Sequence, residues 1–335
     1  MSRHKSHSDK RSKRKKLLRA TLIALAVVIA FTSALLILNY WENQQGNVPV
    51  PTPSVNTITY NGQEYKKKNV ETLLVLGLDK YEGNIDNDSY NNDQQSDFLI
   101  LFVIDNKNSS CSAIHINRDT MAEISILGLA GEKVGTVNEQ IALAHTYGDG
   151  GRKSCRNTAD AVSKLLGGIE VHDYISVTMD AVPAFNDLVG GVEVTVLEDF
   201  AGIDDTLIKG ETVTLTGQHA LNYVRTRYGL EDSSNSTRME RQRQYMEALL
   251  DKATQCVAED EGFVVESVKC ISDYMVSNCT VTELEKFFSN ISSYDFTDFR
   301  YFEGENRMGE TFMEFYPDEN SVKEIVMDLF YEPVL

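Results

Sequence analysis

The longest hydrophobic stretch of the chain lies near its start, where residues 20–38 form a run of 19 residues without a charged side chain. At about 1.5 Å of rise per residue, a helix of this length nearly spans a hydrocarbon core of about 30 Å. Basic residues at 13–19 precede the run, and Tyr40 and Trp41 follow it, as in many membrane helices. The pattern predicts a single transmembrane signal-anchor helix at 20–41. A cleaved signal peptide is the alternative, although its apolar region is typically shorter and ends at a small-residue site.

The flanks of this run predict the orientation of the protein. A basic tail at 1–19 indicates that the N terminus is cytoplasmic, so the C-terminal domain is extracellular. Alternating prolines at 49, 51 and 53 favour an extended spacer. We therefore expect an extracellular linker at 42–58 and a single-pass protein of the cell membrane.

Beyond residue 58, short apolar runs alternate with longer periodic stretches. The apolar runs predict strands at 72–78, 98–104, 113–116, 174–178 and 192–196. The periodic stretches predict helices at 137–147, 158–166, 181–188, 216–224, 237–253, 264–276, 281–288 and 321–330. This alternation is typical of an α/β layered domain. We place that domain at 59–255, followed by an acidic α/β extension at 256–335 that packs on or beside it.

The distribution of charge excludes one class of function. Residues 1–19 hold nine Lys and Arg against Asp9, a local charge of +8, and the remaining residues hold 23 basic and 49 acidic side chains, a charge of −26. A body of this charge repels phosphate except where arginines gather, so nucleic acid is not an expected partner. The five cysteines all follow the predicted membrane helix, where disulfides are permitted, but their odd number and spacing specify no pairing.

Two aspartates lie at the ends of the longest apolar runs of the outer domain. Asp79 follows the first run and Asp97 begins the second. If the two strands are neighbours, both carboxylates lie at one rim of the sheet, where ligands of α/β sheets often bind. Mg²⁺ accepts one or two carboxylates together with phosphate oxygens, so the pair suits a metal that also holds a phosphorylated ligand. The alternative is that each aspartate caps a turn.

Arginines gather at two further places in the outer domain. Arg118 and Asp119 end the third predicted strand, where an ordinary surface ion pair is the alternative. The densest group comprises five arginines and one glutamine, Arg225, Arg227, Arg238, Arg241, Gln242 and Arg243. Guanidinium groups bind phosphate oxygens in a bidentate manner, so these side chains predict an anion site. A solvated charged helix face is the alternative reading of this group.

The ordered motifs of the chain resemble those of the LytR-CpsA-Psr family of envelope proteins. The motifs are L-G-L-D, S-D-F, I-N-R-D-T, V-N-E, L-V-G-G-V-E-V, G-x-x-A-L-x-Y-V-R-T-R and R-M-E-R-Q, between residues 71 and 253. The resemblance implies a central mixed β-sheet flanked by helices, with a long apolar groove for a polyprenyl chain. It also implies a phosphotransferase that moves a glycopolymer from a polyprenyl-pyrophosphate carrier to peptidoglycan through a phosphodiester.

The resemblance assigns roles to individual residues. Asp79 and Asp97 correspond to the acidic pair that binds Mg²⁺ in the family. The implied pyrophosphate-binding residues are Arg118, Arg225, Arg227, Arg238, Arg241 and Gln242, with Asn138 from the V-N-E motif. Asp97 and Asp119 are the candidate bases for the acceptor hydroxyl.

Some positions depart from the family pattern, and two other functions stay open. Gln95 stands where the family usually has Arg, and Asn117 stands where it usually has Pro. A non-catalytic envelope regulator or polyprenyl-phosphate binding protein is one alternative, although a 19-residue tail is too short for a helix-turn-helix domain. A pyrophosphatase that uses water as the acceptor is the other, because it shares every donor contact.

Overall fold

The computed structural model describes residues 57–78, 95–226, 229–230, 235–260 and 262–334. The predicted cytoplasmic tail, the predicted membrane helix and most of the predicted linker lie outside these ranges. Among the described residues, no helix has the length and apolarity needed to cross a membrane.

The described ranges form fifteen strands and seven α-helices. The strands are β1 (Thr57–Tyr60), β2 (Gln63–Lys67), β3 (Glu71–Leu78), β4 (Ser96–Asp105), β5 (Ser110–Ile116), β6 (Met121–Leu127), β7 (Lys133–Gln140), β8 (Asp173–Thr178), β9 (Val192–Thr195), β10 (Thr212–Leu215), β11 (Met275–Ser277), β12 (Asp295–Arg300), β13 (Gly304–Met308), β14 (Met313–Pro317) and β15 (Tyr331–Pro333). The helices are α1 (Arg152–Leu165), α2 (Ala181–Leu188), α3 (Gln218–Arg225), α4 (Asn235–Glu259), α5 (Phe263–Ile271), α6 (Val281–Ser293) and α7 (Glu319–Phe330), with 3₁₀ helices at Ile141–Tyr147 and Ser272–Tyr274.

A six-stranded mixed sheet forms the centre of the fold, in the order β11-β8-β3-β4-β5-β12. The pairs β3–β4, β4–β5 and β8–β11 are antiparallel, whereas β3–β8 and β5–β12 are parallel. The predicted central mixed sheet with flanking helices is therefore confirmed for the described residues.

Strands β3 and β4 carry apolar side chains on both sides. Other elements therefore cover both faces of the sheet. Leu74 and Leu101 belong to a core that includes side chains of α1 and α7. Leu73 and Phe102 face the other way and belong to a core that includes side chains of α5 and α6. A third core joins α3 and α4 to the two-stranded β9–β10 sheet. The result is an α/β/α arrangement with an additional helical layer beside one face.

Helix α1 ends where the sequence predicts. Gly167 and Gly168 adopt φ values of +69° and +90°, which L-residues with a side chain rarely adopt. The amide of Gly168 donates to the carbonyl of Ser163 at 2.8 Å, which satisfies a carbonyl of the last helical turn.

Two predicted helices are wrong in part. Residues 137–140 belong to β7, which pairs with β6, and only Ile141–Tyr147 is helical, as a 3₁₀ helix. The helix predicted at 264–276 ends at Ile271, and Met275–Ser277 instead pairs with β8. In both cases strand pairing outweighs the local apolar period, with the preceding strand β6 for β7 and with the distant strand β8 for β11.

The segment after residue 255 is integrated into the fold. It supplies β11 and β12, which are the two edge strands of the central sheet. Residues 57–335 accordingly form one compact unit, and the predicted boundary at 255/256 does not divide them into two.

Candidate functional site

Asp97 is the second residue of β4 and lies at the rim of the sheet where β3 ends. Leu78, the last residue of β3, pairs with Ser96, and a register shift next to Gly77 marks this end of the pair. Asp97 is 7% exposed. Asp79 lies outside the described residues, but it directly follows Leu78 in the chain. The predicted neighbouring strands are therefore present, and Asp97 is at the rim that the sequence indicates.

Arg118 is the centre of a buried charge cluster at this rim. It lies two residues after the end of β5, and its Nη1 donates to Asp97 Oδ1. Its Nη2 donates to Gln95 Oε1 at 2.7 Å, and its Nε lies 3.3 Å from Asp119 Oδ1. One guanidinium group thus holds three side chains from both sides of the β4–β5 pair. Its side chain is only 11% exposed, which strengthens each contact because water screens it little.

Arg238 approaches the same carboxylate from the first turns of α4. Its Nη1 lies 3.5 Å from Asp97 Oδ2, and its Nη2 donates to Asn235 Oδ1 at 2.6 Å. Asn235 Nδ2 in turn donates to Asn117 Oδ1 at 2.7 Å. These amide contacts fasten the start of α4 to the turn that carries Arg118. Asp97 therefore lies between two guanidinium groups supplied by separate elements.

Asp119 connects the cluster to β7 and to the C-terminal hairpin. Gln140 Nε2 donates to Asp119 Oδ1 at 3.0 Å and to the carbonyl of Met313 at 2.6 Å. The amide of Phe315 donates to the carbonyl of Asp119 at 2.8 Å. Asn138 is exposed on β7, on the same face of the strand as Gln140. The residue of β7 that contacts the cluster is therefore Gln140, and the donor-binding role of Asn138 stays a prediction.

Arg241 has partners other than the predicted phosphate. It is fully buried, with its Nε 3.0 Å from Glu198 Oε2. Its Nη1 and Nη2 donate to the carbonyls of Tyr223 and Thr226, each at 2.5 Å. Burial lowers the pKa of Arg241, while the nearby Glu198 carboxylate opposes that shift. Arg241 therefore fixes the end of α3.

Those two carbonyls flank Arg225, which is exposed at the last turn of α3. Because Arg241 holds the backbone on both sides of Arg225, the position of the Arg225 backbone is fixed. Arg227 lies outside the described residues. Gln242 Nε2 donates to the carbonyl of Val224 at 3.2 Å, which adds a third hydrogen bond from α4 to the end of α3.

An apolar cavity of about 240 Å³ opens beside the cluster, between one face of the sheet and α2, α4, α5 and α6. Its lining includes Phe98, which follows Asp97, and Val224, which precedes Arg225. Gln242 also lines it, and its Oε1 is buried with no hydrogen-bond partner among the described residues. An apolar space that borders buried arginines and an aspartate suits a ligand with a hydrocarbon tail and an anionic head.

The carboxylates at this rim have the chemistry that a magnesium ion prefers. The described ranges contain no group of three or more His, Cys, Asp or Glu side chains that could hold a metal alone. Asp97 supplies hard carboxylate oxygens, and the predicted second ligand, Asp79, is outside those ranges. One or two carboxylates completed by phosphate oxygens is the usual way that proteins hold Mg²⁺ beside a phosphorylated substrate. The residues therefore fit a metal that is shared with a ligand.

A catalytic thiol is not supported by the structure. All five cysteines are free thiols, and none forms the disulfide that an outer location permits. Cys155 Sγ lies 3.7 Å from His145 Nε2, but both side chains are fully buried. Burial raises the pKa of Cys155, which disfavours the reactive thiolate.

The structure thus brings together Asp97, Arg118, Asp119 and Arg238. It adds Gln95, Asn117, Gln140 and Asn235, which sequence reasoning did not assign to the site. Asn117 precedes the Arg-Asp-Thr turn, and its Oδ1 accepts from the amide of Asp119 at 2.9 Å. Asn side chains commonly form such Asx turns with the amide two residues on, so the role of Asn117 could have been predicted from the sequence. The other three amides have no distinctive spacing.

The fold and the site define an α/β/α domain with a buried arginine–aspartate cluster beside an apolar cavity. The model of the LytR_cpsA_psr family matches residues 41–330, and the chain belongs to this family. A polyisoprenyl-teichoic acid–peptidoglycan teichoic acid transferase, TagU, of Oceanobacillus iheyensis is 29% identical over 192 residues, which are 57% of this chain and 54% of the relative. TagU of Bacillus cereus is 32% identical over 181 residues, 54% of this chain and 52% of the relative.

The chain therefore spans about half the length of these curated relatives. The solved structure of TagT bound to LI-WTA covers 78% of this chain and 90% of its own, with a TM-score of 0.59 and 20% identity. At that identity the likeness establishes the fold.

Proposed function

We propose that this protein is a membrane-anchored phosphotransferase that attaches a glycopolymer from a polyprenyl-pyrophosphate carrier to peptidoglycan. The observation that carries the proposal is the contact of Asp97 with Arg118 and Arg238 at the border of an apolar cavity. A lipid-linked pyrophosphate has the two chemical parts that this arrangement accommodates. The names of the relatives, which describe transfer of polyisoprenyl-linked teichoic acid to peptidoglycan, support the same reaction.

The arginines act on the phosphate groups of the donor. Arg225 is exposed at the end of α3, and Arg118 and Arg238 lie deeper, against Asp97. Cleavage of a pyrophosphate spreads negative charge over several oxygens, and positioned guanidinium groups stabilise that charge. The buried cluster is held by amide contacts before the ligand arrives, so little reorganisation accompanies the reaction.

Mg²⁺ is proposed as the cofactor, held by Asp97 and Asp79 together with donor phosphate oxygens. When bound, it would neutralise charge on the pyrophosphate. Arg118 and Arg238 would then exchange part of their contact with Asp97 for contact with those oxygens. Such an exchange keeps the carboxylate paired with a cation both before and after donor binding.

The reaction transfers the phosphate that bears the glycopolymer. An acceptor hydroxyl oxygen of peptidoglycan forms a bond to that phosphorus atom while the bond to the bridging pyrophosphate oxygen breaks. Polyprenyl monophosphate leaves with the bridging oxygen, and the hydroxyl proton passes to a base. Asp97 and Asp119 are the candidate bases, because both carboxylates lie in the cluster that would hold the donor phosphates.

Attachment to the membrane has a physical purpose in this proposal. The donor remains at the bilayer surface, and a helix at 20–41 would keep the extracellular domain at that surface with a high effective donor concentration. The proposed topology has a cytoplasmic N terminus and the described domain outside.

The test is transfer by the full chain, reconstituted in vesicles with a lipid-linked glycopolymer and peptidoglycan. We expect polymer to become linked to peptidoglycan, with release of polyprenyl monophosphate, and excess chelator to abolish both. Asp97→Asn should lower the rate at least about a hundredfold, since it removes a charge from the site. Asp105→Asn is the matched control, because Asp105 is a comparably buried residue at the far end of β4.

Two outcomes would contradict the proposal. Free polymer phosphate without peptidoglycan linkage would identify a pyrophosphatase. Donor binding without any turnover, in wild type and in Asp97→Asn alike, would favour a regulator or lipid-binding protein.

A further inference from the structure

A second cavity, of about 960 Å³, lies on a different side of the charge cluster. It is bounded by the first turns of α4 and by the β13–β14 hairpin with its flanking residues. His115, Asn117 and Arg243 form part of its inner wall, and Tyr301 and Tyr316 form part of its outer wall. We call this space the hairpin groove. The donor chemistry described above uses none of the hairpin side chains.

The hairpin groove reaches the reaction centre. Asn117, which lines it, is adjacent to Arg118 in the chain and bonds the amide of Asp119. His115 lines the groove and packs at 5.2 Å from the ring of Phe98, which lines the apolar cavity. The apolar cavity and the groove therefore approach each other at this pair of rings. A donor held in the cavity and a second ligand held in the groove would meet at the cluster.

Aromatic side chains with exposed faces stand along the groove. Tyr301 is 54% exposed, and the Arg243 guanidinium lies 4.8 Å from its ring centroid. Arg307 lies 4.7 Å from the ring centroid of Tyr316. A cation over one part of a tyrosine holds the ring in place. A half-exposed tyrosine such as Tyr301 can pack on the C–H face of a sugar ring. The hydroxyl of Tyr316 already donates to Glu314 Oε2 at 2.6 Å, so Tyr316 contributes mainly its ring.

The charge of the groove disfavours an anionic polymer. The acidic side chains that line it are Glu303, Glu305, Asp318 and Glu319, and the arginines are Arg243 and Arg307. Four carboxylates against two guanidinium groups leave a net charge of −2. Arg307 is also occupied, since its Nη2 lies 2.8 Å from Glu305 Oε2. A polymer of phosphodiesters would be repelled here, whereas a neutral chain of amino sugars would not.

His115 adds no positive charge that would alter this balance. It is fully buried, and burial together with Arg243 and Arg238 lowers its pKa to about 3. The imidazole is therefore neutral at physiological pH. Its Nδ1 is buried without a hydrogen-bond partner among the described residues.

We propose that the hairpin groove binds the glycan strand of the acceptor, a neutral chain of N-acetylated amino sugars, and presents its hydroxyl to the cluster. This inference rests on the proposed transferase function, and it assigns the C-terminal segment a part in acceptor recognition. Tyr301 is the principal sugar platform, and the carboxylates of the groove accept hydrogen bonds from sugar hydroxyls.

The experiment measures binding of a β-1,4-linked N-acetylglucosamine hexamer to the full chain in detergent micelles by calorimetry. Tyr301→Ala should weaken this binding about tenfold or more, because it removes the stacking face. Tyr301→Phe should retain most of the affinity. Tyr274→Ala is the matched control, since Tyr274 is also exposed but does not line the groove. A poly(glycerol phosphate) fragment should bind more weakly than the sugar hexamer.

Equal affinity of wild type and Tyr301→Ala for the hexamer, or absence of hexamer binding to wild type, would overturn the assignment of the groove. Tighter, Tyr301-dependent binding of the anionic fragment would overturn it as well. A parallel titration with a short-chain polyprenyl pyrophosphate separates the two claims. Donor affinity that is the same in wild type and Tyr301→Ala leaves the proposed function intact whatever the hexamer does. Failure of wild type to bind the donor counts against the transferase, while the hexamer data still decide the groove.

Discussion

Arg238 and Arg241 lie three residues apart on α4 and have different surroundings. Arg238 lies against Asp97 at the rim of the sheet, whereas Arg241 points into the core formed by α3, α4 and β9. The Arg241 guanidinium also lies 5.2 Å from the ring centroid of Phe200. Spacing on a helix places both residues near one face, but only the structure shows which of them is enclosed. These contacts indicate that Arg241 stabilises the backbone that carries Arg225.

This conclusion gives a prediction for stability. Arg241→Ala leaves the Glu198 carboxylate buried without its cation, so the free energy of unfolding should fall by about 3–5 kcal/mol. Denaturant unfolding followed by far-UV circular dichroism measures this change. Arg300→Ala is the control, because Arg300 has two ion pairs but is 39% exposed, and its loss should be below about 1 kcal/mol. A stable Arg241→Ala variant with weakened donor affinity would instead mean that Arg241 binds the donor.

Part of the site was predictable at the scale of residues. Asp97 and Arg118 stand at the ends of apolar runs, and strand ends that meet at one edge bring such residues together. Gln95 and Gln140 were not predictable, because an amide that accepts or donates one hydrogen bond has no characteristic spacing. The pairing of Arg241 with Glu198 was not predictable either, since it joins residues distant in the sequence.

At the scale of elements, β3 and β4 could be predicted from the sequence because both of their faces are buried. Their residues are almost all buried, so the sequence reads as continuous apolar runs. The hairpin β13–β14 has the opposite property, because every residue of β13 is exposed. Without a buried face there is no period of two to detect, and the hairpin was missed. The same reason explains the partial failure at β7, where the burial alternates weakly.

Helices α4 and α5 form one side of the apolar cavity, and a change there tests its role. Ser267 on α5 lines the cavity, and its Oγ is buried without a hydrogen-bond partner among the described residues. Ser267→Leu should fill part of the space and remove that unsatisfied hydroxyl, so stability should not fall. Affinity for a polyprenyl pyrophosphate should fall at least about tenfold, because the hydrocarbon tail loses its place.

Ser267→Ala is the matched control for this variant. It removes the hydroxyl without filling the cavity, so donor affinity should equal that of wild type. Titration of both variants with donors of increasing chain length is the measurement. Unchanged affinity of Ser267→Leu for every chain length would place the lipid elsewhere.

At the scale of the whole molecule, the segment after residue 255 completes both the sheet and the sites. It supplies the two edge strands, two helices of the cavity wall and the hairpin of the groove. The acidic composition of this segment indicated a separate extension, because charge and hydropathy do not report which strands pair over long sequence distances. The family model, which matches residues 41–330, extends across it as well.

The charge of the molecule makes the proposed donor site distinctive. Residues 20–335 carry a net charge of −26, yet three arginines lie at or near one rim of the sheet. The surrounding field disfavours nonspecific anions, so a ligand must gain affinity from close contacts and from its tail. Head and tail should therefore both be required for tight binding.

The most direct test of the central claim is the affinity of the full chain for a short-chain polyprenyl pyrophosphate. We predict that Arg225→Ala weakens binding about ten- to a hundredfold, since one charge-assisted contact contributes about 1.5–3 kcal/mol. Arg225→Lys should recover only part of that loss. Because Arg225 is exposed, its removal should change stability by less than about 0.5 kcal/mol. Inorganic pyrophosphate should bind wild type more weakly than the lipid does. Equal affinity of wild type, Arg225→Ala and Arg225→Lys for the lipid would contradict the account.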